Sequence, residues 1–263
     1  MYISTQLIIT LFFAVLGGVL PVCLWLWFWL REDKLKPEPK TLLFLTFLGG
    51  MIGTIIALFL EKFVYASNFV SFFEIGYFAE IGKFLQSFVQ TGTTFEKILM
   101  VTIFAPIIEE LIKFFAGYFI AINSKENDEP IDPTIYMITA ALGFVAIENF
   151  LFLRESLSNV NNTLIFSVLT GNMRFVGASV LHTVSSAIIG MFIGFSYFKT
   201  KGKKFFYTIS GIIIAILLHS AFNFSIITRN GNNTMIAIEC VWIAVVIILL
   251  LFEKVKKIKL NKI

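Results

Sequence analysis

Seven charge-poor apolar runs, at roughly 5 to 30, 41 to 60, 97 to 123, 134 to 155, 174 to 198, 205 to 228 and 234 to 252, dominate this chain. Each approaches or exceeds the roughly 20 residues that cross a hydrocarbon core about 30 Å thick in helical form. Backbone N–H and C=O groups find no water there, so such runs must close their hydrogen bonds internally. The expectation is an all-α polytopic membrane protein with about seven transmembrane helices. Of 263 residues, 57% are hydrophobic and only 14% charged, which excludes a water-soluble globular domain.

The segments Arg31 to Lys40, Lys199 to Lys204 and Lys254 to Ile263 are rich in Lys and Arg. Seven spans put all three on one side together with Lys125, leaving Lys62, Lys83, Lys97, Arg154, Arg174 and Arg229 on the other. Basic residues concentrate on the cytoplasmic side, so the N-terminus is expected outside and the C-terminus in the cytoplasm. The same distribution explains the net charge of +4 without a nucleic-acid partner. The first run lacks a basic leader and a small-residue cleavage site and is expected to remain as a helix. Trp25, Trp27 and Trp29 near its inner end read as an aromatic anchor at the lipid interface.

Residues 61–96 form an aromatic stretch broken by Glu74, Glu80 and Lys83, suited to an interfacial or re-entrant extracytoplasmic segment. With no internal repeat and no long polar linker, residues 1–263 read as one membrane-embedded domain. Small-residue pairs, Gly49 with Gly53, Gly190 with Gly194 and Gly211 with Ala215, predict close helix packing. Cys23 and Cys240 have no metal-ligand or disulfide spacing and are assigned no role.

Ionisable groups at the centre of membrane helices cost several kcal/mol, so each one needs a partner and a reason. The third run contains Glu109, Glu110 and Lys113, and at 100° per residue the lysine projects between the two carboxylates. The fourth carries Glu148 and Asn149, the fifth His182 with Ser185 and Ser186 nearby, and the sixth His219 with Asn223 one turn later. Counting at 1.5 Å per residue from the cytoplasmic ends puts Glu109, Glu148 and His219 about 21 Å up and His182 about 24 Å up. The four thus converge at one level in the outer half of the bilayer.

Adjacent carboxylates in a poorly solvated site repel, and one that holds its proton part of the time can act as both base and acid. Either Glu109 or Glu110 is the candidate to activate water. The histidines and the Asn223 amide are candidate donors to the oxyanion of a peptide carbonyl under attack. Lys113 and Asn149 support the site.

Four motifs in order, Glu-Glu-x-x-Lys at 109–113, Phe-x-x-x-Glu-Asn at 144–149, His-x7-Gly at 182–190 and His-x3-Asn at 219–223, resemble those of the PrsW family of intramembrane proteases. Pro-Glu-Pro at 37–39 is similar to that family's first cytoplasmic loop. The resemblance implies a helical core like that of the CAAX-processing (CPBP/Abi) membrane proteases. It also implies cleavage of a single-pass membrane protein, such as an anti-sigma factor, near its extracytoplasmic side in the bacterial cytoplasmic membrane.

Family members are described both as metalloproteases and as metal-free glutamate-type enzymes. Glu109, Glu110, Glu148, His182 and His219 could bind Zn²⁺, but the compact His-Glu-x-x-His arrangement is absent, which favours a metal-free site. A proton-coupled transporter would also bury Glu, Lys and His, but with internal repeats and Gly/Pro-broken helices in matching halves, and neither is seen. A non-catalytic scaffold is the other rival.

Overall fold

The computed structural model describes residues 5–31, 36–67, 94–159, 161–227 and 231–258. Its helices are α1 (Thr5–Leu30), α2 (Lys40–Ala66), α3 (Phe95–Leu99), α4 (Ala105–Gly117), α5 (Asp132–Ser158), α6 (Leu164–Val176), α7 (Ala178–Phe195), α8 (Lys201–Ile227) and α9 (Gly231–Val255), with π-helical turns at Met100–Phe104 and Tyr118–Ile122 flanking α4. No strand occurs among the described residues. The segment expected at 61–96 lies for the most part outside them, although its first residues prolong α2 to Ala66.

Among the described residues, six helical stretches can cross a membrane by length and composition: Leu7–Leu30, Lys40–Ala66, Asp132–Ser158, Leu164–Phe195, Lys201–Ile227 and Thr234–Val255. The seventh expected run is helical from Phe95 through Ile122, but it carries Glu109, Glu110 and Lys113 close together and is not among the six. The fifth run begins earlier than expected, at Leu164, and is broken at Gly177 into α6 and α7.

Helix α5 is the axis of the bundle. It is buried without interruption from Asp132 to Ala146, because neighbouring helices cover it on every side. Around it pack α1, α2, α4 and α7, with α8 and α9 completing a second layer against α7. Large apolar side chains on the outer faces, among them Phe59 and Phe63 of α2, Phe205 and Leu217 of α8 and Leu250 of α9, are exposed as lipid-facing residues are. Trp29 departs from the anchor reading: it is 1% exposed and stacks on Phe252 of α9, ring centroids 5.5 Å apart.

Lipid tails are as apolar as leucine, so close backbone contact, not exclusion of water, drives helix association here. The tightest approach joins α2 and α5. A Cβ on Gly50 would lie 2.0 Å from the Ala140 carbonyl oxygen, and one on Gly143 would lie 2.0 Å from that of Phe47. Thr54 Oγ1 also donates to the Phe144 carbonyl at 2.8 Å. Gly190 likewise abuts Thr134 in the first turn of α5, Gly194 abuts Pro130 just before that helix, and Gly211 abuts Ile189 and Phe192 of α7.

Gly143→Ala is therefore expected to destabilise the protein by about 3 kcal/mol through overpacking against backbone that cannot move aside. Gly202→Ala, with nothing within 4 Å, is expected to be neutral. Thermal unfolding of both variants in the same detergent checks this pair.

Candidate active site

The local geometry of the site begins with a proline. In the π turn the Ala105 N–H bonds to Met100 O, and Pro106 has no N–H to offer, so the Val101 carbonyl lacks its helical partner. Asn223 Nδ2 of α8 donates to that carbonyl at 2.9 Å. One amide N–H of Asn223 therefore ties α8 to the turn that leads into Glu109 and Glu110.

Glu110 and Lys113 are fully buried, and Lys113 Nζ lies 2.6 Å from Glu110 Oε1 and 4.0 Å from Glu109 Oε2. Ser185 Oγ donates to Glu110 Oε1 at 2.9 Å, and His219 Nδ1 lies 2.8 Å from the same oxygen. Three groups thus converge on Glu110 Oε1. A neutral His219 donates from Nδ1 and presents Nε2 as an acceptor, 3.8 Å from Glu109 Oε2.

His182 is oriented by the same reasoning. Lys113 Nζ, which can only donate, is 2.8 Å from His182 Nδ1. The ring proton is therefore assigned to Nε2, 3.0 Å from Glu148 Oε2. His182 Nδ1 lies 3.7 Å from Glu109 Oε2, and the two imidazoles meet edge to face with centroids 4.8 Å apart.

Glu109 occupies the centre of this arrangement. Its Oε2 is buried and has no hydrogen-bond partner among the described residues, although two histidine nitrogens and Lys113 Nζ face it within 4.0 Å. Glu110 Oε2 also lacks a partner, but the Glu110 side chain is 0% exposed where Glu109 is 13%. Of the two adjacent carboxylates, Glu109 is the one that keeps some exposed surface.

All eight residues singled out by sequence lie in or beside this cluster. Glu109, Glu110, Glu148, His182, His219 and Lys113 are linked by contacts of 4.0 Å or less. Asn149 and Asn223 act from its edges, on Ser179 and Val101 respectively.

One further residue belongs here that the sequence reading did not assign. Arg174, grouped there with the charges of the outer side, lies in the last turn of α6 with Nη2 2.6 Å from Glu148 Oε1. A signal for Arg174 was available: Gly171 and Gly177 bracket it, marking close packing and a break within an apolar run.

Comparison with known proteins fits this geometry. Residues 38–252 match the model of the family described as PrsW family intramembrane metalloprotease. Protease PrsW of Geobacillus kaustophilus is 24% identical over 219 residues, covering 83% of this chain and 82% of that protein. Protease PrsW of Clostridioides difficile is 26% identical over 210 residues, covering 79% and 76%. No solved structure matches. Membrane helices closing around buried carboxylates and imidazoles, in a chain with these relatives, define an intramembrane protease. The chain belongs to the PrsW family of intramembrane metalloproteases.

The family description implies a metal, and the residues present fit one in type and spacing. Glu109, His182 and His219 each offer a ligand atom, all within 4.8 Å of one another, and two imidazole nitrogens with one carboxylate oxygen is a donor set that suits Zn²⁺. The buried, unpartnered Glu109 Oε2 and the free acceptor on His219 Nε2 agree with that use. Lys113 is the competitor, since its Nζ covers His182 Nδ1 and must withdraw before that nitrogen can ligate.

Proposed function

We propose that residues 1–263 work as one membrane-embedded unit that hydrolyses a peptide bond of a single-pass membrane protein near its extracytoplasmic side. The reading takes the chain to be a seven-span protein of the bacterial cytoplasmic membrane, N-terminus outside and C-terminus inside. Phe95–Ile122 is then the remaining span, made tolerable in lipid by burial of its charges against α5, α7 and α8. An anti-sigma-factor-like protein is the substrate type that suits such a cut. The observation that carries the reading is the Glu109 carboxylate, unpartnered at Oε2 and faced by both histidines at 3.7 and 3.8 Å.

In the metal-free form of this mechanism, Glu109 takes a proton from water as its oxygen bonds to the substrate carbonyl carbon. The resulting oxyanion is met by the second amide N–H of Asn223. The C–N bond then breaks, and Glu109 returns the proton to the departing amine. Glu110 holds His219 and Lys113 in place throughout.

The donor set favours a second form, in which Glu109, His182 and His219 hold a divalent ion. When bound, that ion supplies Lewis-acid polarisation of the substrate carbonyl.

One preparation tests both. Purified wild type and His219→Ala, reconstituted in liposomes with bacterial inner-membrane proteins, are compared by sequencing newly formed N-termini and by measuring bound metal. New termini only with wild type, falling at the outer ends of single-pass segments, are expected. Identical termini in both samples would remove the site assignment. Stoichiometric Zn²⁺ in wild type, lost in His219→Ala, selects the metal-bound form.

A further inference from the structure

The cluster opens at its α6 edge. Side-chain exposure is 0% at Glu110 and Lys113, 3% at the two histidines and 13% at Glu109, but it reaches 28% at Glu148 and 22% at Arg174. Arg174 therefore stands at the mouth of the site, on a short helix whose outer face, including Ile165 and Leu169, is exposed. Polar links hold α6 in place at both ends: Ser156 Oγ donates to Ser167 Oγ at 2.8 Å, and Trp242 Nε1 to Val176 O at 3.0 Å. Gly177, at φ −106° and ψ −82°, then separates α6 from α7.

Arg174 uses both arms of its guanidinium. Nη2 lies 2.6 Å from Glu148 Oε1, while Nε donates to Asn149 Oδ1 at 3.0 Å. Asn149 Nδ2 passes the connection on to Ser179 Oγ at 2.9 Å, and the central guanidinium carbon lies over the Phe152 ring, 4.8 Å from its centroid. A planar fork can fix two consecutive residues of α5 at once, which the point charge of a lysine cannot. The other oxygen of Glu148 faces His182 Nε2 at 3.0 Å, so the chain of contacts runs Arg174, Glu148, His182, with His182 Nδ1 directed toward Glu109.

We infer that Arg174 is a positioning residue for the proteolytic reaction: it fixes the Glu148 carboxylate, and Glu148 in turn holds the His182 ring in the orientation that faces Glu109. The inference rests on reading this cluster as the protease site. Contacts that orient a working histidine through a carboxylate are commonly worth about 10- to 100-fold in activity, although they touch no reacting atom.

The test uses the full chain in detergent with Cys23→Ala and Cys240→Ala, and fluorescein-labelled casein as a general protease probe. Arg174→Ala is expected to lower kcat about 10- to 100-fold with KM little changed, and Arg174→Lys to recover part of the loss. A Ser156→Cys/Ser167→Cys disulfide, placed where the two hydroxyl oxygens are 2.8 Å apart, pins α6 to α5 without Arg174. In the Arg174→Ala background this cross-link is expected to preserve the fold and leave kcat low.

Recovery of wild-type kcat by the cross-link would reduce Arg174 to a fastener of α6 and overturn the inference, as would full activity of Arg174→Ala. If wild type proves as inert as Glu109→Gln, the protease reading falls and this inference with it.

Discussion

Glu109→Gln is expected to lower kcat by about 10²- to 10⁴-fold while leaving the unfolding temperature unchanged. The amide keeps the shape of the side chain but cannot take a proton from water. Nothing structural is lost, because Glu109 Oε2 holds no hydrogen bond among the described residues and its distance to Lys113 is 4.0 Å, too long for a strong pair. The same substitution next door should behave in the opposite way. Glu110 Oε1 receives Lys113, Ser185 and His219, so Glu110→Gln removes the charge that balances a buried lysine and is expected to lower stability as well as activity. Casein cleavage kinetics and thermal unfolding on matched preparations separate the two. Wild-type turnover in Glu109→Gln would shift the reactive carboxylate to Glu148, the other partly exposed member of the cluster.

Lys113→Met is expected to cost about 3 to 5 kcal/mol of stability, the usual penalty for removing one partner of a buried ion pair. Lys113 is fully enclosed, 2.6 Å from Glu110 and 2.8 Å from His182 Nδ1, with its ammonium 5.0 Å from the Phe144 ring centre. Methionine fills much of the same volume, so the loss is electrostatic: three carboxylates at Glu109, Glu110 and Glu148 would then face only Arg174. The double variant Lys113→Met/Glu110→Gln should regain much of the stability, since it removes both charges, yet remain inactive because His219 and His182 lose their orientation. Unfolding in mixed micelles measures the coupling between the two sites. Additive losses, with no recovery in the double variant, would contradict a paired role.

The buried polar cluster was unusually legible in the sequence because a membrane interior leaves few reasons to bury charge. Glu109, Glu110, Glu148, His182 and His219 stood out against apolar runs, and helical periodicity alone put Lys113 between the first two. Depth counting brought them to one level without any contact information. Arg174 escaped because the helix it belongs to starts at Leu164 and breaks at Gly177, so a count from 174 put it at a membrane edge. The role of Asn223 was equally hidden: its amide answers a carbonyl left open by Pro106, and that vacancy exists only once the helix has adopted a π turn. Trp29 reads as an interfacial residue in any linear scan, and only the arrival of Phe252 from the far end of the chain encloses it.

Sequence by itself determined the helical membrane class, the family and the identity of the ionisable residues, because hydrocarbon imposes one rule on every backbone group and charges every buried ion the same high cost. It left open which of two adjacent glutamates reacts. Tertiary structure decided how the two differ, through contacts between residues as far apart in the chain as Glu110 and His219: one carboxylate takes three partners on a single oxygen and is sealed, while its neighbour, one residue away and turned by 100°, stays partly exposed and faces two imidazoles.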